Sequence, residues 1–144
     1  MELPLSISRP SKKTSKNLEA SFYQSIKKNQ KKHRPDVRLT RIESWASQGV
    51  PDLVVCGETG DFSFWELKTA TGVAVRLSPH QVAWMEQHKH TASFIIVRCK
   101  DRHAHVYRAD QAVDLVDRGL LLKPHFKIDA PIDWEQFFRL TIPL

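Results

Sequence analysis

The sequence predicts an α/β domain, and three observations predict it. Apolar residues recur at helical spacing in "SKNLEASFYQSIKKNQKK" and a capped helical segment follows Ser78, whereas "DLVVCG", "FSFWELK" and "ASFIIVRC" are apolar runs of strand length, rich in β-branched and aromatic residues. Turn-forming residues separate these segments, as in "GETGD". At 144 residues, with 41% apolar and 26% charged side chains, the chain fits one compact domain able to bury a core without staples.

The elements follow in order. Residues 1–14 read as a flexible basic arm, after which Leu18, Phe22 and Ile26 line one face of an amphipathic helix that Pro35 stops. In "DVRLTRIESW", Val37, Leu39 and Arg41 alternate with Arg38, Thr40 and Ile42, a mixed pattern that fits a strand near a sheet edge. "DLVVCG" is apolar on both faces, as a central strand requires, and "GETGD" joins it to "FSFWELK" as a hairpin. "TATGVAVRL" is a loop or short strand leading to a second helix, with Ser78 as N-cap and Pro79 at its first position. "ASFIIVRC" and "HAHVYRA" read as strands around a polar turn at "KDR", and "DQAVDLVDRGL" as a helix ending near Gly119. In the tail, residues 123–144, "DWEQFFRL" reads as a short apolar helix docking on the core or on another subunit.

Charge is unevenly spread. Residues 1–34 carry nine Lys/Arg against Glu2 and Glu19, whereas the rest of the chain is nearly balanced. Arg9, Lys12, Lys13 and Lys16, followed by Lys27, Lys28, Lys31 and Lys32, can draw a polyanion to the surface, with DNA the expected partner; the alternative is a solubilising tail and a wet helix face. Cys56 and Cys99 lie in separate strand-like runs, which suits buried thiols in a reducing cytoplasm better than a disulfide or zinc framework. The sequence contains neither a signal-peptide core nor the roughly 18 apolar residues of a membrane span, so no membrane partner is expected.

Three charged residues interrupt the hairpin. Side chains two apart on a strand share a face, so Phe62, Phe64, Glu66 and Lys68 lie together in a gradient from apolar to charged, as if the strand left the core for a polar cleft. Asp52 begins the preceding strand, and antiparallel pairing brings its carboxylate beside Glu66. Two anions in a low-dielectric cleft need a proton or a cation. Oxygen ligation by Asp52, Glu66 and the backbone carbonyl of Leu67 favours Mg²⁺ or Mn²⁺ over zinc, with Lys68 placed to orient a water and stabilise charge on a phosphate.

Pro51-Asp52, thirteen intervening residues and Glu66-Leu67-Lys68 resemble the PD-(D/E)xK nuclease superfamily. Within it, "GVPDLVV", "FWELKTA" and "LSPHQVAWM" are similar to the VRR-NUC group, which includes small stand-alone phage enzymes that act in a host cytoplasm. The resemblance covers roughly residues 15–108 and implies a nuclease domain over 15–122, with an α/β restriction-endonuclease-like mixed β-sheet flanked by α-helices. It further implies Mg²⁺-dependent cleavage of branched, flapped or Holliday-junction DNA to leave 5′ phosphates, in DNA repair or recombination. Asp52 and Glu66 match the metal-binding acids, Lys68 the motif lysine, Gln81 the glutamine of the following helix, Glu19 the acid of the first helix, and Gly49 and Pro51 the turn that delivers the aspartate.

Plainer readings stand beside these. Asp52 can simply end a turn, and Glu66 with Lys68 can be an exposed pair worth under about 1 kcal/mol. Ser78-x-x-Gln81 is also a capping box, and Glu19 can pair with Lys16 or favour the helix dipole. His103 and His105 share a strand face without a third ligand at a recognisable spacing, so a zinc site is not expected; His80 reads as a surface residue and Trp84 as packing. No phosphate-binding glycine loop or nucleophile elbow is present. The alternatives to a structure-selective endonuclease are a non-catalytic DNA-binding or assembly protein and, less favoured, a restriction-like nuclease or exonuclease. A homodimer would present two active sites to two strands.

Overall fold

The computed structural model describes residues 15–42 and 47–142, with side chains from residue 17. The basic arm, with Arg9, Lys12 and Lys13, lies outside the described residues, as does the Lys16 side chain. Helix α1 spans Ser15–His33 and strand β1 Arg38–Arg41; β2 (Leu53–Cys56) and β3 (Phe62–Ala70) form the expected hairpin. Helix α2 (Pro79–Gln87) crosses to β4 (Ser93–Cys99), and β5 (Ala104–Arg108) leads through a single 3₁₀ turn to α3 (Ala112–Arg118). The tail contributes β6 (Phe126–Ile128) and α4 (Trp134–Thr141).

The six strands lie in the order β1-β2-β3-β4-β5-β6, antiparallel throughout except for the parallel β3–β4 pair. Only the β3–α2–β4 crossover permits that pair, because parallel neighbours cannot be joined by a tight turn. One sheet face packs Leu53, Val55, Trp65, Leu67 and Ile96 against Phe22 and Ile26 of α1 and Phe137 and Phe138 of α4. Phe137 meets Trp65 edge to face with centroids 5.5 Å apart, so "DWEQFFRL" docks on the core. The other face packs Ala70, Ile95, Val97 and Tyr107 against Met85 of α2 and Leu115 of α3. "TATGVAVRL" becomes a loop after Ala70, anchored by buried Val75. Among the described residues no helix is long and apolar enough to cross a membrane.

Candidate active site

Strand β3 outlasts β2. Leu53 opens β2 opposite Trp65, so residues 66–70 run on past its end and leave a notch in the sheet. Asp52 stands at that notch, and its Oδ2 accepts the Leu67 N–H at 2.8 Å. Because a strand residue's N–H and C=O leave on one side, the Leu67 carbonyl faces the notch as well.

Glu66 is 3% exposed, whereas Phe62 on the same face is 58% exposed. This reverses the burial that the polarity of the strand suggests: Phe62 follows the Glu58–Gly60 turn, and α2 covers Glu66. Gln81 both caps its helix and contacts Glu66. Its Oε1 accepts the Ser78 N–H at 2.9 Å and the Ser78 hydroxyl accepts the Gln81 N–H at 3.1 Å, closing a capping box. Its Nε2 donates to Glu66 Oε2 at 3.1 Å. Lys68 Nζ stands 3.7 Å from the same oxygen.

The glycine at 49 ties the Asp52 turn to this helix. Gly49 has φ +88°, and a Cβ there would lie 2.2 Å from the His80 carbonyl oxygen. Trp84 lies between Phe64, at 5.6 Å between centroids, and His88, at 3.8 Å, and so packs the helix onto the sheet; His80 is exposed.

Glu19 approaches from α1 but does not close into one ligand cluster with Asp52 and Glu66. It lines a small cavity of about 180 Å³ with Tyr23, Arg41, Asp52 and Leu67, and a second of about 500 Å³ with Lys68 and the loop to Arg76. Burial pushes the Glu66 carboxyl up to about 9, the Asp52 charge and then hydrogen bond push the same way, and Lys68 only partly opposes them. Burial also raises Glu19, against Lys68 and with Asp52. At neutral pH, without a cation, Glu66 therefore keeps a proton beside Asp52, and Lys68 at 3.7 Å faces a neutral carboxyl rather than completing a full ion pair. The Asp52 and Glu66 carboxylates and the Leu67 carbonyl are hard oxygen donors, a set suited to Mg²⁺ or Mn²⁺.

The remaining basic residues stand apart. Lys27, Lys28, Lys31 and Lys32 are exposed on α1, about 12–20 Å along the helix from Glu19. A nearer set is not evident from the sequence pattern: Arg98, Lys100 and Arg102 border a cavity of about 360 Å³ with α1 and residues 69–71. Three cations within "RCKDR" are the available signal. The β4–β5 turn also brings Cys99 to His103 and His105, with ligand atoms all within 4.8 Å of one another, which supplies the third ligand that linear spacing conceals.

No protein-family model matches the chain, and no curated protein matches it either. Among solved structures, one resembling it is Archaeoglobus fulgidus Hjc, a Holliday junction resolvase from an archaeal hyperthermophile. The two are 15% identical, with a TM-score of 0.50 over 77% of this chain and 88% of the other. The mixed sheet and its flanking helices form an α/β restriction-endonuclease-like fold.

Proposed function

We propose that this chain is a divalent-metal-dependent DNA endonuclease of the PD-(D/E)xK superfamily, similar to the VRR-NUC group and selective for branched, flapped or Holliday-junction DNA. The observation that carries this reading is the convergence of Asp52 and buried Glu66 at the end of β2, with Lys68 3.7 Å from Glu66. Mg²⁺, with Mn²⁺ as a substitute, would be held by Asp52, Glu66, Glu19 and the Leu67 carbonyl, and when bound supplies an activated water and neutralises phosphate charge. Lys68 orients the attacking water and stabilises charge gathering on the phosphate. Gln81 fixes the Glu66 carboxyl, while the Leu67 N–H fixes Asp52, so neither acid must reorganise during the reaction. Water attacks in line at phosphorus, and the 3′ oxygen departs to leave a 5′ phosphate.

The branched substrate is drawn from the Hjc likeness and from the motif resemblance together. Arg9, Lys12, Lys13, Lys16 and the α1 lysines would contact phosphates remote from the cut, with Arg98, Lys100 and Arg102 nearer to it. A homodimer would place two such sites on two strands, consistent with recombination or repair intermediates. End-labelled four-way junctions, flaps, duplex and single strands test the proposal with Mg²⁺ or EDTA. The expected result is metal-dependent cutting of branched substrates, abolished in Asp52→Ala, Glu66→Ala and Lys68→Ala. Binding without cutting replaces the proposal with the non-catalytic DNA-binding reading, and equal cutting by the variants removes Asp52, Glu66 and Lys68 from the reaction.

A further inference from the structure

We propose that Cys99, His103 and His105 form a second metal site, one that takes Zn²⁺ through the Cys99 sulfur and the two histidine Nε2 atoms. The Cys99 N–H donates to the His103 carbonyl at 2.9 Å, and Arg102, with φ 75°, turns the chain so that the thiol and both imidazoles come together. The two Nε2 atoms stand 3.1 Å apart. Two nitrogens on one tetrahedral zinc, each about 2.0–2.1 Å from the metal, lie about 3.3 Å apart.

The outer hydrogen bonds determine what those nitrogens offer. His103 Nδ1 contacts the Asp101 carboxylate, an acceptor only, so Nδ1 carries the proton. His105 Nδ1 lies 3.0 Å from the Tyr107 hydroxyl, whose own proton goes to the Leu122 carbonyl at 3.1 Å. The hydroxyl must then accept from His105, which places that proton on Nδ1 too. The two Nε2 atoms are thereby turned into one shared space, where a cation can take the place of a proton between them. Carboxylate and hydroxyl partners on the far nitrogens are also the outer shell that orients zinc-binding histidines.

The donor set is chemically distinct from the acidic notch. One thiolate and two imidazoles suit zinc, whereas carboxylates and a carbonyl suit magnesium. Lys127, which pairs across from His105, lies 3.6 Å from Asp129. A cavity lined by Gly72, Lys100 and Leu120 opens beside Cys99 and His103 and leaves room for a fourth ligand such as water.

Cobalt(II), a spectroscopic substitute for zinc, tests the site in the full-length, untagged chain carrying Asp52→Ala and Glu66→Ala, which removes the acidic notch as a competitor. One equivalent of cobalt is expected, with a sulfur-to-cobalt charge-transfer band that Zn²⁺ bleaches stoichiometrically. Cys99→Ser should abolish the band, and His103→Gln should weaken binding by at least about tenfold, the loss typical of even an outer-shell partner. Absence of the band in a parent shown to be folded by circular dichroism overturns the proposal. So does its persistence in Cys99→Ser, which would place the sulfur ligand at Cys56. Should Cys99→Ser not fold, unchanged cobalt affinity in His103→Gln overturns it equally.

Discussion

The acidic notch and the β4–β5 hairpin occupy the same sheet face, and each presses together groups that repel one another. In the notch the groups are carboxylates held by Leu67 N–H and Gln81, with Lys68 alongside. In the hairpin they are imidazole lone pairs held by Asp101 and Tyr107, with a thiol alongside. The cations proposed for them differ, one hard and the other borderline-soft. If both proposals hold, donor type alone separates the two metal chemistries, and a substitution that disturbs one region should leave the other intact.

The largest effect is expected from Glu66→Gln, which should lower cleavage by more than about 100-fold yet stabilise the metal-free protein. Glu66 titrates near 9 when folded against an ordinary 4.5, so between those values the folded chain holds a proton that the unfolded chain has lost. Its contribution is thus present at low pH and declines as pH rises towards 9. Thermal melts in EDTA should show the melting temperature falling over this range in the wild type, and a flatter profile in Glu66→Gln. A wild-type profile as flat as the variant's would remove the burial argument.

Gly49→Ala should cost roughly 2–4 kcal/mol, from backbone strain and from collision with the His80 carbonyl, and should lower Mg²⁺-dependent cleavage without altering cobalt binding at the hairpin. Chemical denaturation and the cobalt spectrum measure the two outcomes. A smaller effect separates the dual roles of Gln81. Ser78→Ala should lose about 1 kcal/mol with activity largely kept, whereas Gln81→Ala should lose similar stability and about tenfold in kcat. Equal kinetics in the two variants would leave Gln81 as a cap alone. Smallest is deletion of residues 1–14, which should weaken binding uniformly across DNA structures and flatten its salt dependence by up to about 0.9 in slope for each phosphate the arm neutralises. An unchanged slope would remove the arm from the interface.

The two regions also differ in how far their sequence betrays them. Glu66 and Lys68 share a face by strand periodicity, and Asp52 reaches Glu66 through a hairpin whose turn residues are explicit. Gln81 is visible as a cap from Ser78-x-x-Gln81 and as a site candidate through the motif resemblance, and the two ends of its amide make a cap bond and a Glu66 contact. Cys99 looks like core in the sequence, since its partner histidines arrive only once Arg102 closes the turn. Strand β6 is hidden for a different reason: three residues, "FKI", are too short for alternation to register, and its pairing with β5 supplies the order that local propensity lacks. The inversion of burial along β3 is illegible because the cover over Glu66 comes from α2, fifteen residues downstream.

The close approach of Gly49 to His80 has a mechanical consequence. With no side chain between the Asp52 turn and the first turn of α2, and with Gln81 bonded to Glu66, the turn, helix and strand meet directly at the notch. Glu19 and Tyr23 reach the notch from α1, which packs on the opposite side of the sheet. One backbone contact at residue 49 therefore keeps the loop acid and the helix amide in register, and a change there would be felt by both carboxylates at once.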